Sequence, residues 1–139
     1  MKLDKYRGVI PAFYACYDGD GAVSRDAARR LTRYFVEQGV KGVYVGGSSG
    51  ECIYQSVEDR KKTLEAVMEE GAGRLTVIAH VACNNTKDSQ ELAAHAAKLG
   101  VDAIAAIPPT TRRGMTRLIR KAFSSSSSAT ALHTSTEIR

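Results

Sequence analysis

At 139 residues the chain is one domain of modest size, long enough to bury a core. Its formal net charge of +5 is unevenly placed. Residues 1–109 set fourteen Lys and Arg against fourteen Asp and Glu, and the whole excess lies beyond, in Arg112, Arg113, Arg117, Arg120, Lys121 and Arg139 against Glu137. The basic character belongs to the tail, so no nucleic-acid partner is expected of the folded part. No apolar run is long enough to cross a bilayer, and Met1-Lys2-Leu3-Asp4-Lys5 does not open a secretory leader; a cytoplasmic chain with no membrane partner is expected. Cys16, Cys52 and Cys83 lie far apart, with no C-x-x-C or His-paired spacing, which points to reduced thiols and to no metal site.

Taken in order, residues 8–14 read as a first strand, followed by an Asp18-Gly19-Asp20-Gly21 turn. Ser24 is placed to cap a helix with Asp26 in its first turn, and Ala27, Leu31, Tyr34, Phe35 and Gln38 recur at helical spacing until Gly39 ends it. Residues 42–45 form a second strand. Ser56 with Asp59 three residues later marks the start of a second helix, with Leu64, Val67 and Met68 on its inner face and Gly71 and Gly73 at its close. Residues 75–81 are a third strand with His80 near its end. A third helix follows Asn84-Asn85-Thr86, buries Leu92, Ala96 and Leu99, and stops at Gly100. Residues 103–107 form a fourth strand, left through Pro108-Pro109. The alternation predicts parallel βα units with right-handed crossovers, and periodicity alone allows either an open doubly wound sheet or part of a barrel.

The chemistry concentrates in Gly46-Gly47-Ser48-Ser49-Gly50-Glu51, where a buried strand runs into a loop before a helix. The glycines admit close backbone approach, and the Ser48 and Ser49 hydroxyls with neighbouring N–H groups can donate to a carboxylate or phosphate. No Gly-Lys-Ser/Thr follows, and the glycine spacing is not that of a dinucleotide fingerprint, so nucleotide binding ranks low.

Extended to Cys52-Ile53-Tyr54-Gln55-Ser56 and Glu58-Asp59-Arg60, with Arg7-Gly8-Val9-Ile10-Pro11-Ala12 before it and Ile78-Ala79-His80-Val81-Ala82-Cys83 after it, the sequence resembles the N-acetylneuraminate lyase and dihydrodipicolinate synthase family over residues 5–109, on the sialic acid lyase side. The resemblance implies the amino-terminal half, about four βα units, of a TIM (β/α)8 barrel, a fold that needs roughly 250 residues when whole. It also implies a class I pyruvate aldolase, a carbon-carbon lyase that works through a lysine Schiff base with no cofactor or metal and cleaves N-acetylneuraminate to N-acetylmannosamine and pyruvate. A dihydrodipicolinate synthase-type or other pyruvate aldolase is the related alternative.

By the same resemblance Ser48 and Ser49 are the hydroxyl pair holding the pyruvate-derived carboxylate, with Gly47 and Gly50 giving backbone access. The Schiff-base lysine and relay tyrosine would lie on later strands, so no catalytic residue is assigned and the chain is expected to be inactive by itself. Lys41, Lys87 and Lys98 read as surface charges, His80 as a structural histidine, and Glu51 as a brace accepting loop N–H groups. The implied partner is a small-molecule carboxylate, pyruvate or sialic acid; the family is homo-oligomeric, and half a barrel should self-associate.

Residues 110–139 read as a separate basic tail with a serine run at 124–128, no strand periodicity and no family resemblance, expected to be disordered and explained by a shifted reading frame. Met115, Leu118, Ile119 and Phe123 could share one helical face, which leaves a non-catalytic anion-binding or interaction module as the alternative.

Overall fold

The computed structural model describes residues 3–107 and 130–132. Three α-helices, α1 (Arg25–Glu37), α2 (Val57–Gly71) and α3 (Thr86–Leu99), alternate with strands β1 (Gly42–Val45), β2 (Thr76–His80) and β3 (Ala103–Ala105), and a last strand, β4 (Thr130–Leu132), completes the sheet. The helix starts follow from the caps. Ser24, Ser56 and Asn85 each accept a backbone N–H three residues on, from Ala27 (3.2 Å), Asp59 (3.1 Å) and Asp88 (2.8 Å). Gly39 follows α1 with φ +68° and Gly100 ends α3 with φ +76°, the left-handed positions that stop a helix.

All four strands are parallel and lie in chain order, β1-β2-β3-β4. The predicted first strand is reduced to a single parallel bridge, Ala12 to Tyr44, flanked by Phe13 N–H donating to Tyr44 O (2.8 Å) and Tyr44 N–H donating to Pro11 O (2.9 Å). Pro11 brings no N–H of its own, which limits how far the ladder can run. Five consecutive segments therefore neighbour one another with no reversal of order. A doubly wound sheet reverses at a switch point; a barrel does not. The architecture is the amino-terminal half of a TIM barrel.

The helices cover one face. α1 packs on α2 and α2 on α3, and Val43, Val45, Val77, Ala79 and Ile104 meet Ala28, Leu64, Val67, Leu92 and Ala96 in one core cluster. Side chains alternate along a strand, so Gly42, Tyr44, Thr76, Ile78 and His80 occupy the opposite face, which is a barrel's interior. Phe13 is fully buried, edge-on to Phe35 with ring centroids 6.0 Å apart.

Two expectations need correction. The buried side of α1 is centred on Ala28 and Thr32, flanked by Leu31 and Phe35, whereas Tyr34 and Gln38 are exposed. Thr32 tolerates burial because its hydroxyl donates to Ala28 O at 2.8 Å, a bond that hydrophobicity does not register. Strand β4 falls within the stretch read as lacking strand character. It pairs with β3 through the register Ala103 to Thr130 and Ala105 to Leu132. A three-residue edge partner needs only backbone groups to pair and leaves almost no periodicity to detect. The serine run, the 115–123 helical face and the expected disorder of the tail lie outside the described residues.

The amino ends of the strands are closed by polar side chains. Asp102 accepts from Val77 N–H (2.9 Å) and from Lys5 Nζ (3.2 Å), while its carbonyl accepts from the Tyr6 hydroxyl (3.0 Å). Thr76 Oγ1 donates to Lys5 O at 2.9 Å. Lys41 is exposed and lines a hollow of about 510 Å³ at this end, as its place at the start of β1 implies.

Candidate active site

At the opposite end, β1 leaves the sheet through Gly46 (φ +74°), and residues 48–50 form a single 3-10 turn, closed by Gly50 N–H donating to Gly47 O (3.0 Å) and Glu51 N–H donating to Ser48 O (2.9 Å). Two glycines here sit in tight space. A Cβ on Gly47 would stand 2.6 Å from Tyr44 Cε1, and one on Gly50 3.1 Å from Phe13 O. Glu51 takes the left-handed conformation (φ +54°) that is costly for a residue with a side chain. The predicted brace exists in a different form: Glu51 Oε2 accepts the Tyr17 hydroxyl at 2.8 Å and no loop N–H.

The loop borders a cleft of about 470 Å³ at the carboxyl ends of the strands, lined by Ser48, Cys52, His80, Cys83, Asn85 and Ile107 among others. In a barrel this is the end where chemistry is done. Ser48 faces the cleft directly. Ser49 is exposed at the turn, and its carbonyl accepts from Ala15 N–H at 3.3 Å, tying the loop to the segment after the first bridge. Gly47 and Gly50 are buried and act through backbone and spacing. Lys87 and Lys98 are exposed on α3, away from the cleft lining. The three cysteines are free thiols, each half-buried.

His80 is buried, and its Nδ1 lies 2.9 Å from Gly46 O. A carbonyl can only accept, so Nδ1 carries the proton and Nε2 is left as an acceptor, buried and without a partner. Burial pushes the imidazole below its ordinary range, and the positive charge of Arg60 adds to this against the opposing bond to Gly46. The ring is therefore neutral near pH 7, as a structural histidine should be.

Arg60 belongs to the stretch that carries the family resemblance, but the sequence reading gave it no role. It stands in the first turn of α2, yet only 5% of it is exposed. Nη1 donates to Ala82 O (3.0 Å) and lies 3.0 Å from Cys83 Sγ; Nη2 donates to His80 O (2.7 Å) and to Gly46 O (3.4 Å). One guanidinium thus joins the carboxyl ends of β1 and β2. The signal was available: Arg60, Leu64, Val67 and Gly71 recur at spacings of four, three and four, which puts an arginine inside an apolar stripe. Burial pushes the neighbouring Cys83 thiol up, with Arg60 opposing, so this sulfur is a protonated thiol and a weak acceptor.

With the geometry in hand, the comparisons with known proteins are specific. The profile of the Dihydrodipicolinate synthetase family matches residues 5–132, continuing past Pro109 to include β4. The N-acetylneuraminate lyase of Mediterraneibacter gnavus is 75% identical over 107 residues, covering 77% of this chain and 34% of that protein. The N-acetylneuraminate lyase of an Enterobacter species (strain 638) is 44% identical over 103 residues, with 74% and 35% covered. Among solved structures, a catalytic lysine mutant of the Ruminococcus gnavus sialic acid aldolase superposes with a TM-score of 0.88 at 60% identity, covering 94% of this chain and 44% of that one. The Mycoplasma synoviae N-acetylneuraminate lyase gives 0.86 at 31% identity, with 94% and 46% covered. The chain spans about a third of the length of the curated relatives it matches. A parallel sheet in chain order, a serine loop at its carboxyl end and a family match over most of the sequence agree: the chain belongs to the dihydrodipicolinate synthetase family.

Proposed function

We propose that the chain is the carboxylate-binding portion of an N-acetylneuraminate lyase, in which the serine loop receives the carboxylate of pyruvate or of the sialic acid from which pyruvate is released. The observation that carries this reading is Ser48 opening onto the cleft at the carboxyl ends of parallel strands. In this reading the Ser48 and Ser49 hydroxyls donate to the carboxylate and the backbone at Gly47 and Gly50 allows its approach. The 75% identity over 107 residues to an N-acetylneuraminate lyase favours that branch over dihydrodipicolinate synthase, a solved example of which is 32% identical.

The lysine that forms the Schiff base and the tyrosine that relays the proton belong, in this reading, to strands beyond those described. The 139-residue chain then binds but does not turn over. Purified chain incubated with N-acetylneuraminate should release no pyruvate above a protein-free control. Borohydride reduction with pyruvate should add no mass to any of its lysines. Measurable pyruvate release, or a reduced pyruvyl adduct on Lys41, Lys87 or Lys98, would overturn this reading.

A further inference from the structure

We infer that Arg60 is the positioning residue of the serine loop, and that it acts on the ligand's carboxylate through that loop. This deepens the function proposed above and rests on it for the identity of the anion. The guanidinium is almost wholly buried, and its hydrogen-bond acceptors are three carbonyl oxygens, of Gly46, His80 and Ala82, with the Cys83 sulfur beside them. Among the described residues it forms no ion pair, although every arginine on α1 except Arg30 does. Neutral acceptors take hydrogens from both Nη atoms without cancelling the charge. Arg60 is not among the residues lining the cleft with Ser48; it lines a separate small void with Gly46, Leu64 and His80, so its influence on a ligand runs through the loop it holds.

The geometry also shows what the residue holds. Gly46 O is pinned from two sides, by the imidazole Nδ1–H of His80 at 2.9 Å and by Arg60 Nη2 at 3.4 Å. That carbonyl belongs to the peptide whose N–H is Gly47's, so fixing it sets the plane from which the turn at Ser48 and Ser49 departs. The same guanidinium holds His80 O and Ala82 O, so the floor of the cleft and its serine wall move as one piece. Two buried nitrogens here, Arg60 Nε and His80 Nε2, have no partner among the described residues.

The test uses the full 139-residue chain with Arg60→Lys, which keeps the charge and loses the planar fork, and Arg60→Met, which loses both. Hydrogen exchange at the Gly47, Ser48 and Ser49 amides reports position, and pyruvate titration followed by amide shifts reports the anion. Both variants should speed exchange at the loop while amides in the centre of α3 stay as they were. Pyruvate affinity should fall at least about tenfold in Arg60→Met and less in Arg60→Lys, whose ammonium can still donate to part of the carbonyl set. Arg60→Lys carries the test by itself if the methionine variant does not fold.

Unchanged loop exchange together with unchanged pyruvate affinity in Arg60→Lys and Arg60→Met would overturn the inference. A fall in pyruvate affinity with loop exchange unchanged would overturn the positioning role. If the unaltered chain binds no pyruvate but its loop amides loosen in Arg60→Lys, the carboxylate assignment fails while the positioning role stands.

Discussion

The two ends of the sheet are built on opposite principles. At the amino ends, Asp102, Lys5, Tyr6 and Thr76 form a set of hydrogen bonds in which each group has a partner and the charges are of opposite sign. At the carboxyl ends, a buried arginine meets only neutral acceptors, two ring or guanidinium nitrogens are unpartnered, and Glu51 is held at positive φ. One end is fully paired among its own groups and the other is not. The less satisfied end is the one at which barrels carry their chemistry, so stability and the proposed function divide along the strand direction.

Substitutions at the two ends should separate along the same line. The largest expected effect is at the closed end. In Gly42→Ala the new Cβ would lie 2.2 Å from Thr76 O, a backbone atom of the paired strand that cannot turn aside. A loss of about 3 kcal/mol or more is expected, read as a collapse of the urea midpoint. Asp102→Ala should cost about 2 kcal/mol, because Val77, fully buried, loses the acceptor of its N–H, and pyruvate binding per folded molecule should not change. If that variant weakens binding as much as it weakens folding, the two ends are not independent.

Gly47→Ala should be milder in stability, about 1 kcal/mol, since the obstruction is the Tyr44 ring, which can rotate. It should still reduce pyruvate affinity by displacing that ring beside the loop. A pH effect belongs to the carboxyl end. The imidazole of His80 sits below its unfolded value, so the unfolded chain takes up the proton first as pH falls. The contribution is fully present above about pH 6.5 and is lost as pH drops from there toward the folded value. Urea melts of the parent should weaken from pH 7 to pH 5, and His80→Gln should flatten that slope. The smallest stability effect is expected of Ser48→Ala, within about 0.5 kcal/mol at an exposed site, with the clearest loss of pyruvate binding. Full affinity in that variant would remove the hydroxyl from the reading.

What the sequence disclosed, it disclosed through local rules. Ser24, Ser56 and Asn85 cap helices because a hydroxyl or amide oxygen reaches the N–H three residues on, and Gly39 and Gly100 end them because they alone take positive φ at no cost. β1, β2 and β3 were visible as short apolar runs. The barrel arrangement was not, since chain-order pairing is a tertiary fact; it came from the family resemblance. Ser48, Ser49, Gly47 and Gly50 were legible as a loop with donors, and of the four Ser48 lines the cleft. The burial of Arg60 was missed because charge suggests solvent, and only its position on the stripe of Leu64 and Val67 argues otherwise. Strand β4 and the bridge at Ala12 escaped because so few residues pair that no pattern can form.

The order of the strands bears on how the chain folds. Each strand finds its neighbour in the next unit along the chain, so docking can proceed from the amino end as residues emerge, without waiting for distant partners. The guanidinium cluster closes entirely within residues 46–83. Its pieces are therefore assembled once α2 has packed across β1 and β2, early in synthesis, and a nascent chain halted soon after β2 should already protect its serine loop from exchange.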